Sequence, residues 1–307
     1  MVTGLSDTAR RARYRQAALR LHAFLDAQLD PVGGYPDKVT WGYAMTALFA
    51  VRMSPDSPGS LADKACDHLA RQDVGSAEYS WEFVVHAMQN ARNTASSAMP
   101  LPLLAHRAKG TRMFNWFLLR QANRGWFPTA RWWTLFKLRL ARAIYTTPDG
   151  FIQDELLTRS LQYHAFCLYV LCELVQQYPK AGFLKAWLVD GVRFSVKHLL
   201  PDGSALWLGR GQEQIFGYAA LIRAMEFVHA RLEPVPSPAL LQVQERLLSF
   251  QRADGSFPLV LRRRQPEPET ARSADAPPGW YGYNTLYDYL PFLGQALVLA
   301  SGDEGSV

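Results

Sequence analysis

The stretch FQRADGSFP, Phe250 to Pro258, places an Asp-Gly turn between an amphipathic run and an aromatic residue. Two further copies stand upstream, LLPDGSALW from Leu199 to Trp207 and TTPDGFI from Thr146 to Ile152, at a spacing of about fifty residues. Looser versions occur in QLDPVGGYP (Gln28 to Pro36) and RQDVGSAEYSW (Arg71 to Trp81). Asp bonds back to its own turn and Gly supplies the positive φ, so each copy reads as a tight stop after a helix. Fifty residues is the length of two helices with their loops, and self-similarity at that period argues for stacked helical hairpins.

Between the turns the apolar residues recur at helical spacing, with almost no strand-like alternation. The spacing predicts helices over 7–29, 39–53, 60–72, 80–92, 98–122, 130–145, 158–178, 182–199, 212–231, 237–252 and 283–300. Eleven is one short of the twelve in a ring of six hairpins. The expected fold is therefore all-α, an (α/α)n toroid with n of six or an incomplete version. Residues 1–300 would form one domain and 301–307 a flexible tail. Loops at one end of such a ring would converge on a central cleft.

Composition narrows the function. Of 307 residues, 49% are apolar, enough for a sizeable core and too many for a disordered chain. No apolar run approaches the roughly 20 residues that span a bilayer. The basic N-terminus has the spacing of an amphipathic helix and not of a secretory leader. The expectation is a cytoplasmic protein as written, or a periplasmic one if a leader was removed. Three cysteines give neither a disulfide framework nor a metal spacing, and the seven histidines form no HxH or HExxH. No metal and no cofactor are expected.

The net charge is +6, and its distribution says more than its size. Between Phe83 and Pro148 there is no Asp or Glu, while Arg92, Arg107, Lys109, Arg112, Arg120, Arg124, Arg131, Lys137, Arg139 and Arg142 all fall there. Phe114, Trp116, Phe117, Trp126, Phe127, Trp132, Trp133 and Phe136 are interleaved. A field of one sign attracts polyanions or anionic surfaces. Solvated Arg faces on amphipathic helices are the plain alternative. An acidic polysaccharide or oligosaccharide is the partner expected, with a peripheral membrane contact through 107–142 as a further option and no nucleic acid.

Candidate chemistry clusters at the ends of helices. In DGFIQDELLTRSLQYHAFCLYVLCEL, Asp149 to Leu174, an acid-bearing segment leads to Gln162, Tyr163 and His164 at the mouth of an apolar helix. Arg159 and Tyr163 are four apart and would share a face. A phenol, with an ordinary pKa near 10, becomes a base only when positive charge lowers it. In LWLGRGQEQIFGYAALIRAMEF, Leu206 to Phe227, Arg210 sits between glycines just before Gln212, Glu213 and Gln214. An Arg at an open helix N-terminus suits a carboxylate. In PPGWYGYNTLYDYLPFLGQAL, Pro277 to Leu297, the residues Trp280, Tyr281, Tyr283, Asn284 and Tyr287 offer rings and amides to a sugar. Trp81 and Glu82, with His86 one turn on, form a weaker fourth patch. For each patch the competing reading is ordinary core and loop chemistry.

The Asp-Gly turn, the acids, and Arg-Ser-x-x-Tyr-His before an apolar helix resemble a segment of the α/α-toroid uronate lyases, the alginate lyases and the heparinase II/III-like family, over Asp149–Trp207 at most. The Gln-x-x-Asp-Gly-Ser-aromatic turn at Gln251–Phe257 also resembles turns of toroid lyases, some glycosidases and terpene cyclases. The resemblance implies β-elimination on a uronic-acid-containing polysaccharide, with a Tyr or His taking the proton alpha to the uronate and a Tyr protonating the leaving oxygen. Tyr163, His164, Arg159 and Tyr283 are then the catalytic candidates. The neutralising asparagine of alginate lyases has its nearest counterparts in Asn90 and Asn93. Gln162, Arg210, Gln212, Trp280, Tyr281, Asn284, Tyr287, Trp81, Glu82 and Asn93 would bind substrate. The alternatives are a toroid glycoside hydrolase with paired carboxylates, drawn from Glu82, Asp154, Glu155, Glu213 and Asp288, or a non-catalytic polysaccharide-binding or assembly protein.

Overall fold

A computed structural model of the chain describes residues 6–56, 59–72, 81–94, 113–125, 131–262 and 285–302. The described residues form eleven α-helices and no strands beyond three isolated bridges. They are α1 (Asp7–Gln28), α2 (Gly42–Met53), α3 (Gly59–Arg71), α4 (Trp81–Thr94), α5 (Phe114–Gly125), α6 (Arg131–Tyr145), α7 (Leu161–Gln177), α8 (Gly182–Lys197), α9 (Ile215–Arg231), α10 (Ser237–Leu248) and α11 (Leu286–Ala300). Each expected helix has a counterpart. The one expected over 98–122 begins at Phe114 and ends at Gly125; residues 95–112 lie outside the described residues.

Two kinds of helix alternate. Helices α2, α4, α7, α9 and α11 are buried around most of their circumference, whereas α1, α3, α6, α8 and α10 bury a single stripe. The sequence dictates this: runs such as LQYHAFCLYVLCEL are apolar almost all round, while DTARRARYRQAALRLHAFLDAQ carries seven charged residues along one helix. A helix apolar all round has to be covered on all sides, so it pairs with one-striped neighbours.

The chain divides into two compact units, one holding α1–α4 and α11, the other α5–α10. In the first, α2 packs against α11, α3 and α4, and α1 packs against α11. In the second, α7 is the centre, packed against α9, α5 and α8.

The repeated turns work alike. In each, the residue three before the glycine donates its N–H to the carbonyl one residue after the glycine: Thr147 to Phe151 at 2.9 Å, Leu200 to Ser204 at 2.9 Å and Arg252 to Ser256 at 2.9 Å. Asp202 and Asp254 accept from the backbone N–H of Ser204 and Ser256. The glycines have φ of +96°, +81° and +95°, a conformation that side chains oppose. A second reason for glycine is contact. A Cβ at Gly150 would lie 2.5 Å from the Asp190 carbonyl of α8, at Gly203 2.5 Å from the Gln242 carbonyl of α10, and at Gly255 2.4 Å from the Arg20 carbonyl of α1. Every Asp-Gly turn is thus seated against the backbone of a one-striped helix.

Candidate functional site

The loop after the Thr147–Phe151 turn and the loop after the Leu200–Ser204 turn hold equivalent positions in successive hairpins, and they meet at the start of α7. Ser160 caps α7, its Oγ accepting the Tyr163 N–H, and the same Oγ donates to the Arg210 carbonyl at 2.7 Å. The Leu161 N–H donates to the Leu208 carbonyl at 3.1 Å. Gln162, fully buried, donates through Nε2 to Gln214 Oε1 at 2.7 Å. Gly211 packs so close that a Cβ would lie 2.1 Å from Gln162 Nε2.

These contacts fix one guanidinium. Arg210 Nη2 donates to Asp154 Oδ2 at 2.7 Å, and the guanidinium carbon lies 4.4 Å from the centre of the Tyr163 ring. A cation over a phenol face is attracted by the ring quadrupole. Arg210 remains about one-third exposed, while Asp154 beneath it is 1% exposed. Burial pushes the Asp154 carboxyl up to about 6, against the lowering effect of Arg210. Asp154 Oδ1 and Gln162 Oε1 are buried and have no hydrogen-bond partner among the described residues.

Backbone strain marks the same loops. Among the described residues only Leu157 (φ +67°) and Glu213 (φ +57°) are non-glycines with positive φ, and one lies in each loop. Such conformations concentrate at functional sites. Glu213 is held in place by accepting from the Leu206 N–H at 3.0 Å, the Tyr218 hydroxyl at 2.8 Å and Arg246 at 3.0 Å.

The other candidates of this region fall around the cluster. Arg159 is exposed. Because Ser160 caps the helix, Arg159 lies before α7, and the four-residue pairing with Tyr163 read from the spacing does not form within a helix; Arg210 supplies the cation at the ring instead. His164 is 1% exposed. Its Nδ1 accepts the Ile152 N–H at 3.0 Å, so Nε2 carries the proton and lies 3.1 Å from the Gly191 carbonyl and 3.1 Å from Ser195 Oγ. Burial lowers its pKa to about 4. The imidazole pins the Asp-Gly turn to α8 as a neutral ring. Gln212 is half-buried in the turn before α9, which begins only at Ile215. The role of Ser160 in tying α7 to Arg210 escaped the sequence reading; a Ser before an apolar run was the available signal.

The remaining candidates belong to the first unit. On α4, Trp81, Glu82 and His86 are buried and Asn93 is exposed. Asn90 accepts from Arg52 at 3.3 Å. On α11, Tyr287 stacks on Tyr35 at 4.7 Å and donates to Gln28 Oε1 at 3.1 Å. Asp288 accepts from four donor groups, the Thr40 N–H (shared between both oxygens), Thr40 Oγ1, the Trp41 N–H and the Gly42 N–H, and so caps α2. Trp280, Tyr281, Tyr283 and Asn284 lie outside the described residues. Among the described residues no group of three or more His, Cys, Asp or Glu is arranged to hold a metal ion.

No protein-family model and no curated protein matches the chain. Several solved structures do. A polysaccharide lyase is 12% identical, covering 97% of this chain and 99% of its own, with a TM-score of 0.60. An alpha-1,6-mannanase from a Salegentibacter species is 11% identical over 94% of this chain and 98% of its own, with a TM-score of 0.57. An unsaturated glucuronyl hydrolase from Streptococcus agalactiae is 11% identical over 96% and 92%, with a TM-score of 0.56. At these identities the likeness is one of fold. The chain has the all-α, α/α-toroid architecture of helical hairpins that the repeated turn and its resemblance implied.

Proposed function

We propose that this chain is a carbohydrate-active enzyme that takes a uronic-acid-containing saccharide at the Arg210–Tyr163 platform and cleaves it by β-elimination. One observation carries the reading: a guanidinium about one-third exposed is fixed by Asp154 at 2.7 Å and lies over the phenol face at 4.4 Å. The C5 proton of a uronate is hardly acidic until its carboxylate is neutralised. A site for this reaction therefore needs a positioned cation and an acid–base group beside it. Arg210 would meet the carboxylate, and Tyr163 would take the C5 proton or return one to the leaving oxygen. Gln212 and Arg159 would bond the sugar around them, while Gln162, fully buried against Gln214 and Gly211, holds the loop beneath and does not reach the ligand as the sequence suggested. The polysaccharide lyase, the alpha-1,6-mannanase and the unsaturated glucuronyl hydrolase all act on saccharides, and the fold they share with this chain supports a sugar ligand.

Hydrolysis is the second reading, favoured by Asp154. Burial pushes that carboxyl up to about 6, in the range of a general acid, and on this reading Arg210 would have to move aside to open it to a leaving oxygen. Incubation with a panel of uronate polymers separates the two. Elimination gives the ultraviolet absorbance of an unsaturated uronate together with new reducing ends; hydrolysis gives reducing ends alone. Binding without either product would leave a non-catalytic protein. Under elimination, Tyr163→Phe lowers kcat by roughly 10²–10⁴ and spares KM.

A further inference from the structure

Helix α6 presents an apolar ridge to solvent. Trp132, Phe136, Leu140 and Ile144 follow one another at four-residue spacing and are 73%, 53%, 55% and 46% exposed, with Trp133 beside them at 44%. The ridge is about 18 Å long at 1.5 Å per residue. The opposite face, Thr134, Leu138 and Ala141, is buried, so at 100° per residue the ridge points away from the protein. Single exposed apolar residues are ordinary, but a continuous row marks an interaction surface.

Charge indicates what covers it. Helix α6 has no carboxylate. Arg139 flanks the ridge on one side and Lys137 on the other, while Arg131 and Arg142 turn back toward Tyr178 and Asp190. Lys137 lies over the Trp133 ring at 5.1 Å and Arg139 over the Phe183 ring at 4.8 Å, both stems lying along apolar surface. Beside the C-terminal half of the ridge a recess of about 480 Å³ is walled by Arg139, Arg142, Thr146, Thr147 and Phe183. Asp190 is its one carboxylate and is paired with Arg142 at 3.0 Å. A second copy laid on the ridge would set Lys137 and Arg139 against the same pair with no carboxylate of α6 between them, which like-charge repulsion opposes.

We propose that α6 docks in the plane of an anionic lipid bilayer, its Trp, Phe, Leu and Ile ridge entering the headgroup boundary while Lys137 and Arg139 meet lipid phosphates. Apolar burial and charge attraction act together in such helices. This inference is independent of the proposed function.

Cosedimentation of the whole protein with vesicles tests it. The protein is expected to pellet with phosphatidylcholine–phosphatidylglycerol vesicles, to stay in solution with phosphatidylcholine alone, and to be released by salt. The double variant Phe136→Glu/Leu140→Glu should bind at least tenfold more weakly, and Arg139→Glu several-fold more weakly, both with an unchanged melting temperature because these side chains are exposed. No binding to the mixed vesicles, equal binding to both kinds, or wild-type binding by the double variant would overturn the proposal. So would light scattering that shows a dimer which the double variant converts to monomer.

Discussion

Two buried residues of the second unit give stability opposite dependences on pH. His164 is neutral, both ring nitrogens taken by partners, with its pKa lowered by burial to about 4. Its unfolded form binds a proton near 6.5. The contribution is therefore complete above 6.5 and is lost as pH falls through about 4, on the order of 3 kcal/mol in all. Asp154 runs the other way. With its folded pKa raised to about 6, it adds stability that is full below the ordinary carboxylate range and lost as pH rises through 6. Urea unfolding of His164→Asn should show the deficit against wild type shrinking between pH 7 and pH 4. Arg210→Ala leaves Asp154 buried without its guanidinium, and its cost, about 1–3 kcal/mol, should be larger at pH 8 than at pH 5. Equal deficits at both pH values would show that Asp154 is not the group that titrates.

At the scale of the element, caps and turns hold the hairpins. Asp288, on α11, accepts the N–H groups of Thr40 and Trp41, which lead into α2, and of Gly42, its first residue, which has no partner within the helix. Asp288→Ala should cost about 2–4 kcal/mol by thermal or urea unfolding, above an ordinary surface cap because the site is buried. Asp288→Asn, which keeps one acceptor oxygen, should cost less. The Asp-Gly turns make a sharper forecast. At Gly255 an added methyl meets a backbone carbonyl that cannot turn aside, and the φ is +95°. Gly255→Ala should lose about 3 kcal/mol or more. A loss below about 1 kcal/mol would mean that the turn does not seat against α1.

At the scale of the whole molecule, the net charge of +6 would draw in the long acidic ligand of the proposed function. Affinity for a uronate polymer should fall steeply with added salt, and Arg210→Ala should weaken it at every salt concentration. An affinity indifferent to salt would remove charge from the argument.

The helices and turns were legible because both are local. Periodicity needs only neighbours along the chain, and Asp-Gly turns carry their own hydrogen bonds. The candidate site was legible in its pieces, Tyr163, Gln162 and Arg210, but not in its wiring. Spacing chose Arg159 as the cation beside Tyr163, and the Ser160 cap ends that geometry one residue too early. The actual partner of the ring, Arg210, is held by Asp154 from 56 positions away. What the sequence determined by itself was the all-α hairpin repeat and which helices must be covered on every side, since apolar pattern and glycine turns act over a few residues. Which carboxylate meets which guanidinium, that His164 is a neutral pin, and that the α6 ridge is left uncovered were decided only when helices packed, because pairing and desolvation depend on distances in space.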